Sequence, residues 1–257
     1  MTSRYEVTLG GVKLSTIDKN LLILDVSYTG VQPSIQTYNV ANLEGYDVSK
    51  TYYEKQTVTV TFELHIYDTA KRNEALQSVN AWAGTTRKTL QINDRKNQYL
   101  SVRCTQYATL NSVRNWTDPI TIVFETDYIP FWMASTQKTL TLSGTTPSGT
   151  LKMDGNIGNA LVTIEATANV AITSFKAVVG STNVELKSIS VPSGKTVVID
   201  YIHERYLRVR ANGSSVMSKL ATTSTDRLLA PCGADTKVSI AASGKVTATV
   251  KARGMWL

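Results

Sequence analysis

The sequence predicts a mainly β protein built as two domains: an α+β domain with one helix over residues 1–134, and a β-sandwich or jelly-roll-like domain over residues 135–257. Three observations carry this. Apolar and polar residues alternate at period two through most of the chain, one segment alone argues well for a helix of any length, and the texture turns to Thr, Ser and Gly between residues 130 and 150. A chain of 257 residues has room for two ordinary domains and for a core that needs no disulfide staples.

"KQTVTVTFELHIY", Lys55 to Tyr67, puts Val58, Val60, Phe62, Leu64 and Ile66 on one face and Thr57, Thr59, Thr61, Glu63 and His65 on the other. That alternation predicts a long half-buried strand, with His65 on its solvated or interface side. The helix follows in "DTAKRNEALQSVNAWAG": Asp68 is placed to cap, Leu76, Val79 and Trp82-Ala83 recur at helical spacing, and Gly84 stands where a helix ends. "RKTLQIND", "QYLSVRCTQYATL" and "DPITIVFETDY" return to strand patterns, with Asn93-Asp94 and Trp116-Thr117-Asp118-Pro119 as turns. Beyond "TQKTLTLSGTTPSGTLKMDGNIGN", short strands follow one another: "ALVTIEATA", "ITSFKAVVG", "TNVELKSISV", "KTVVIDY", "RYLRVRA", "TKVSIAA" and "KVTATVKA". Gly, Asn, Ser and Pro turns separate them, and "SSVMSKLA" is the one short helical candidate there.

The start "MTSRYEVTLGG" lacks a basic region followed by an apolar one, and no run approaches the roughly 18 apolar residues of a membrane helix, so a soluble chain without membrane contact is expected. Cys104 and Cys232 stand far apart, which fits synthesis in a reducing cytoplasm and removes meaning from the Asn115 and Asn212 sequons. The net charge of +7 is uneven: residues 1–134 hold 13 Lys/Arg and 13 Asp/Glu, and residues 135–257 hold 14 and 7. Such asymmetry suits two surfaces with different partners, although lysines that only keep a β domain soluble account for it equally well.

The stretch that most invites a chemical reading is "GKTVVIDYIHERYLRVRANG", where Asp200, His203 and Glu204 lie close in sequence. A zinc protease needs a second His one helical turn away, and none is there. With two His and two isolated Cys in the chain, neither a four-ligand zinc site nor a His-based triad assembles. Strand alternation explains the rest: Val197, Ile199 and Tyr201 share one face, Val198 and Asp200 the other, and His203-Glu204-Arg205 makes the bend. Arg208 and Arg210 then alternate with Leu207 and Val209, too short an array for a nucleic-acid patch. "TLGGVKL" and "MDGNIGN" lack the context of phosphate-binding loops, and Trp116, Trp132 and Tyr128 are expected to finish a core or an inter-domain contact more than to stack on sugars. No catalytic, cofactor-binding or metal-ligating residue is assigned, and the residues alone lead to a non-enzymatic protein.

A resemblance goes further. "SIQTYNVANLEGYDV", "YEKQTVTVTFELHIY", "RNEALQSVNAWAG" and "FETDYIPFWMAS" resemble, in order, the N-terminal belt domain of the distal tail (Dit) proteins of siphophages, the long, non-contractile-tailed bacteriophages. Asp127-Tyr128, with Pro130 two residues later, departs from the usual Asp-Pro. "SGKTVVIDYIHERYLRVRANGSSVM", "DRLLAPCGADTKVSI" and "VTATVKARGMWL" resemble the galectin-like C-terminal domain of the same family. The resemblance implies a structural hub of the tail tip or baseplate. A homo-hexameric ring would join the tail tube protein to the tail-tip or tail-associated lysin-like protein, with the tape measure protein as a further candidate neighbour. Genome DNA would pass through its channel without specific binding. It also implies no cofactor, no enzymatic activity, and a place in the virion after synthesis in the bacterial host cytoplasm. The alternative is a carbohydrate-binding adhesin that recognises the host cell wall through the basic C-terminal domain. A third class, a wall hydrolase, would need two carboxylates at reactive separation.

Overall fold

The computed structural model describes residues 4–39, 46–110, 118–202 and 204–257, with side chains outside 37–39 and 46–51. The chain divides into two compact units, Met1–Trp132 with Leu257, and Met133–Trp256. Each is dominated by antiparallel strands, and the mainly β class stands.

In the first unit the strands are β1 (Val7–Leu9), β2 (Val12–Lys13), β3 (Leu21–Tyr28), β4 (Pro33–Asn39), β5 (Tyr46–Tyr53), β6 (Thr57–Leu64), β7 (Lys88–Ile92), β8 (Gln98–Gln106) and β9 (Ile120–Thr126). Seven of them run in the order β2-β1-β7-β8-β9-β6-β3. The alternation in β6 is realised: Val58, Val60, Phe62 and Leu64 are completely buried, while Thr57, Thr59, Thr61 and Glu63 are half-buried on the other face. The neighbouring strand β9 contributes Ile120, Ile122 and Phe124 to the same core.

One helix, α1 (Thr69–Ala83), follows β6. The Asp68 carboxylate accepts from the N–H groups of Ala70 and Lys71 at 2.9 and 3.1 Å, satisfying donors that a helix start leaves open. Gly84, at φ +58°, ends it and returns its N–H to the Asn80 carbonyl. The buried stripe is Arg72, Ala75, Val79, Trp82 and Ala83, so Leu76 sits half-buried on its shoulder instead of at its centre. Trp82 meets the Phe124 ring edge-on at 6.0 Å and donates its indole N–H to the Val12 carbonyl.

The turn after β7 places Arg95 in this unit's most connected contact. Its guanidinium carbon lies 5.3 Å from the ring centroids of both Tyr28 and Trp132. Nε donates to the Tyr28 hydroxyl at 3.2 Å and Nη1 to the Leu257 carbonyl at 3.1 Å. Trp132 is fully buried.

The chain continues with β10 (Trp132–Ala134) and, in the second unit, β11 (Lys138–Gly144), β12 (Ser148–Lys152), β13 (Asn159–Leu161), β14 (Thr163–Ala168), β15 (Phe175–Val179) and β16 (Thr182–Leu186). Then come β17 (Thr196–Ile202), β18 (Tyr206–Ala211), β19 (Ser214–Ser215), β20 (Leu229–Pro231), β21 (Asp235–Ala242), β22 (Val246–Ala252) and β23 (Met255–Trp256). A six-stranded sheet, β11-β22-β14-β17-β18-β19, and a four-stranded sheet, β12-β21-β15-β16, bury their inner residues in one hydrophobic cluster. That is a sandwich. The "SSVMSKLA" segment makes only a single 3₁₀ turn, Met217–Lys219.

Two details hold the sandwich closed. The outer edge of β16 is covered by residues 221–225: Ala221 and Thr225 donate backbone N–H to Glu185 and Asn183, and the Ser224 and Thr225 hydroxyls accept from the same two residues. Gly155, at φ +113°, bridges Met255 so closely that a Cβ there would sit 2.3 Å from the Met255 carbonyl oxygen.

Equilibrium urea unfolding of the chain tests this division of labour. Phe62→Ala is expected to remove about 3–5 kcal/mol from the unit that contains it, and Asp68→Ala about 1 kcal/mol.

Candidate functional site

The segment with most chemical promise in the sequence is a hairpin. β17 and β18 pair from Val197 with Ala211 to Ile202 with Tyr206. Val197, Ile199 and Val209 are buried in the sandwich. Tyr201 follows them inward: its hydroxyl accepts the Leu228 N–H at 2.7 Å, and burial pushes its pKa up to about 12. Asp200 lies on the other face, where cross-strand Arg208 grips it with Nε and Nη2 at 2.8 and 2.6 Å and Arg210 adds a bond at 2.9 Å. This fork holds the Asp200 carboxyl below the usual aspartate range, chiefly through the Arg208 hydrogen bonds. Glu204, at φ +57°, and Arg205, whose N–H returns to the Ile202 carbonyl, form the bend. His203 lies outside the described residues. Asp200 is therefore a structural anion, committed to two arginines, and those arginines are not a free basic patch.

The other candidates are placed as follows. His65 Nε2 lies 2.7 Å from Glu63 Oε2 on the polar face of β6, a half-buried pair where a solvated or interface His65 is expected from sequence. Burial raises the pKa of both Cys104 and Cys232, which keeps them as thiols and poor nucleophiles. Trp132 is core. Tyr128 instead is 46% exposed, with φ at +38° and Arg87 stacked over its ring at 5.4 Å. Trp116 lies outside the described residues. Among the described residues no group of three or more His, Cys, Asp or Glu is gathered to hold a metal ion, and no helix is long and apolar enough to cross a membrane.

One feature of the first unit was not legible as a site. Among the described residues β4 and β5 pair only with each other, from Pro33 with Tyr53 to Asn39 with Tyr46, with a bulge after Gln36. The Glu54 N–H to Gln32 carbonyl bond closes the base of this hairpin, and the Tyr53 ring stands edge-on to Phe131 at 5.0 Å. Ile35 is 56% exposed and Tyr52 42%. A two-stranded ribbon is marginal in water by itself, so apolar residues displayed along one ask for a covering surface. The only sequence signal was the loose Gly-containing "SIQTYNVANLEGYDV", which carries no clean alternation.

A sheet with a separate two-stranded hairpin and one helix, followed by a ten-stranded sandwich, occurs in solved structures. The Dit protein (gp 19.1) of SPP1, described as a paradigm of the hub adsorption apparatus in phages that infect Gram-positive hosts, matches over 97% of this chain and 98% of its own at a TM-score of 0.76 and 14% identity. This chain has the Dit fold. A chain of the phage P2 baseplate in its Ca-activated conformation matches over 97% of both at a TM-score of 0.53 and 9% identity. No family model and no curated protein matches the sequence. What it shares with the Dit protein is thus the path of the backbone, kept with few identical side chains.

The Asp200 fork makes a pH prediction. Because its folded carboxyl pKa is lowered, the fork stabilises fully above the ordinary aspartate value and loses that contribution as pH falls through the lowered one. Asp200→Asn is expected to reduce stability by about 0.5–1 kcal/mol at neutral pH, after solvent screening. The gap to the parent chain should close below roughly pH 4 when chemical unfolding is repeated across pH.

Proposed function

We propose that this chain is a hub subunit of a siphophage tail tip, six copies closing into a ring that joins the tail tube to the tail-tip protein. The observation that supports it best is the agreement of fold over 97% of the chain with a protein described as a hub. Under this reading residues 1–134 build the ring around a channel for genome DNA, and residues 135–257 are a galectin-like domain at larger radius. The tube protein, the lysin-like tip protein and the tape measure protein are its neighbours. The role is structural, carried out in the virion, and needs no catalytic group.

The β4–β5 hairpin supplies a means of closure. Its exposed Ile35 on one face and Tyr52 on the other would be covered by the two adjacent copies, heterologous contacts that close by rotation. The equal numbers of acidic and basic residues in positions 1–134 let identical copies meet without strong repulsion.

Native mass measurement on the purified chain is expected to give a discrete six-fold assembly. Replacing residues 33–53 by a short Gly/Ser linker should leave a folded monomer whose circular dichroism loses only the strand signal of β4 and β5. A parent chain that stays monomeric at high concentration, or a shortened one that still forms the six-fold species, counts against this reading.

A further inference from the structure

The four-stranded sheet of the sandwich carries a groove of about 240 Å³, lined by outward Ser174, Lys176, Glu185, Ala241 and Ser243, with the inner-face Phe175, Leu186 and Ala242 at its floor. Its origin is a missing side chain. Lys176 stands opposite Glu185 on one side and opposite Ala241 on the other, so the outward row dips at a methyl group where its neighbours are long. Phe175 and Leu186 are buried and leave no apolar pocket for a large side chain. The accessible lining is carboxylate, ammonium, hydroxyl and methyl.

These groups are held in place before any ligand arrives. The Glu185 N–H donates to the Ser224 hydroxyl and its carbonyl accepts from Ala221, which fixes the strand on its edge side. Lys176 and Lys187 reach the Glu185 carboxylate at 3.2 and 3.4 Å and hold it ionised. Ser243 Oγ accepts the N–H groups of Thr173 and Ser174 at 2.7 and 3.3 Å and lies 3.3 Å from the Thr173 hydroxyl, which leaves its own proton for a bound oxygen. A fixed anion beside lysines already committed to it disfavours a phosphate or carboxylate ligand, whatever the excess of basic residues elsewhere in this unit.

We propose that the groove binds one neutral hexopyranose unit of a glycan. Two neighbouring sugar hydroxyls donate to the Glu185 carboxylate, Lys176 and Ser243 donate to sugar oxygens, and the Ala241 methyl lies against ring C–H groups. The volume is below the roughly 300–1,000 Å³ of pockets for drug-sized ligands, so a single ring is the fit and affinity on the order of millimolar is expected. The site is complete within one chain and stands independently of the ring.

Saturation-transfer difference NMR on the full chain tests this with glucose, galactose and N-acetylglucosamine as neutral probes and glycerol phosphate as the anionic one. At least one hexose is expected to give signal that persists from about 50 to 500 mM salt, a range over which exposed charge attraction is screened. Glu185→Gln should weaken that binding about five-fold or more, in keeping with loss of a charged acceptor. Ala241→Phe should abolish it by filling the dip, and both variants, altered on the outer face, should keep the parent's melting temperature. Absence of hexose binding, or hexose signal that survives in both variants, overturns the proposal. Binding of glycerol phosphate alone, lost with salt, also overturns it in favour of an anionic polymer held by the basic surface.

Discussion

The guanidinium of Arg95 is the point at which the path of the chain is secured. The polypeptide leaves its first unit after Trp132 and returns to it at Leu257, and Arg95 holds both: Trp132 by its ring and Leu257 by its carbonyl, with Tyr28 on the second ring contact. A partly exposed cation placed against two aromatic faces contributes on the order of 1 kcal/mol. Its weight lies in what it joins, because the β3 end, the turn after β7 and the two crossings of the chain meet there. The β3–β6–β9 core is built by burial, but its boundary is fixed by one directional charged group.

Charge in the second unit is organised on the same economy. Fourteen basic residues face seven acids in positions 135–257, and three of those acids, Asp154, Glu185 and Asp200, take five of the basic side chains. The two arginines that look like a basic array along β18 thereby share one carboxylate, Asp200. Such pairs add little stability at a surface, but they fix where carboxylates point, as Glu185 and Asp200 both illustrate.

The elements that were legible in the sequence are those whose cause is local. Period two in Thr57–Leu64, the Asp68 cap and the Gly84 stop each depend on residues within a turn or two, so the strand and the helix followed directly. The helix stripe was misjudged by one position because Arg72 and Ala75, not obvious core residues, turned out to face inward. Tyr128 was expected to finish a core or an inter-domain contact, and its ring is 46% exposed with Arg87 over it. The groove was hidden altogether: Lys176 and Glu185 read as ordinary outward residues, and only strand register sets Ala241, far along the chain, beside them. The isolated hairpin was hidden for a related reason, since no periodicity announces that a ribbon will pair with nothing else.

The return of the chain at Leu257 has a consequence for the order of events on the ribosome. Trp132 emerges roughly 125 residues ahead of the carbonyl that shares its arginine, an interval on the order of ten seconds at ordinary elongation rates. Throughout that interval the sandwich is being made and folded while the first unit lacks its last contact. The contacts gathered at Arg95 are therefore complete only after residue 257 has left the ribosome.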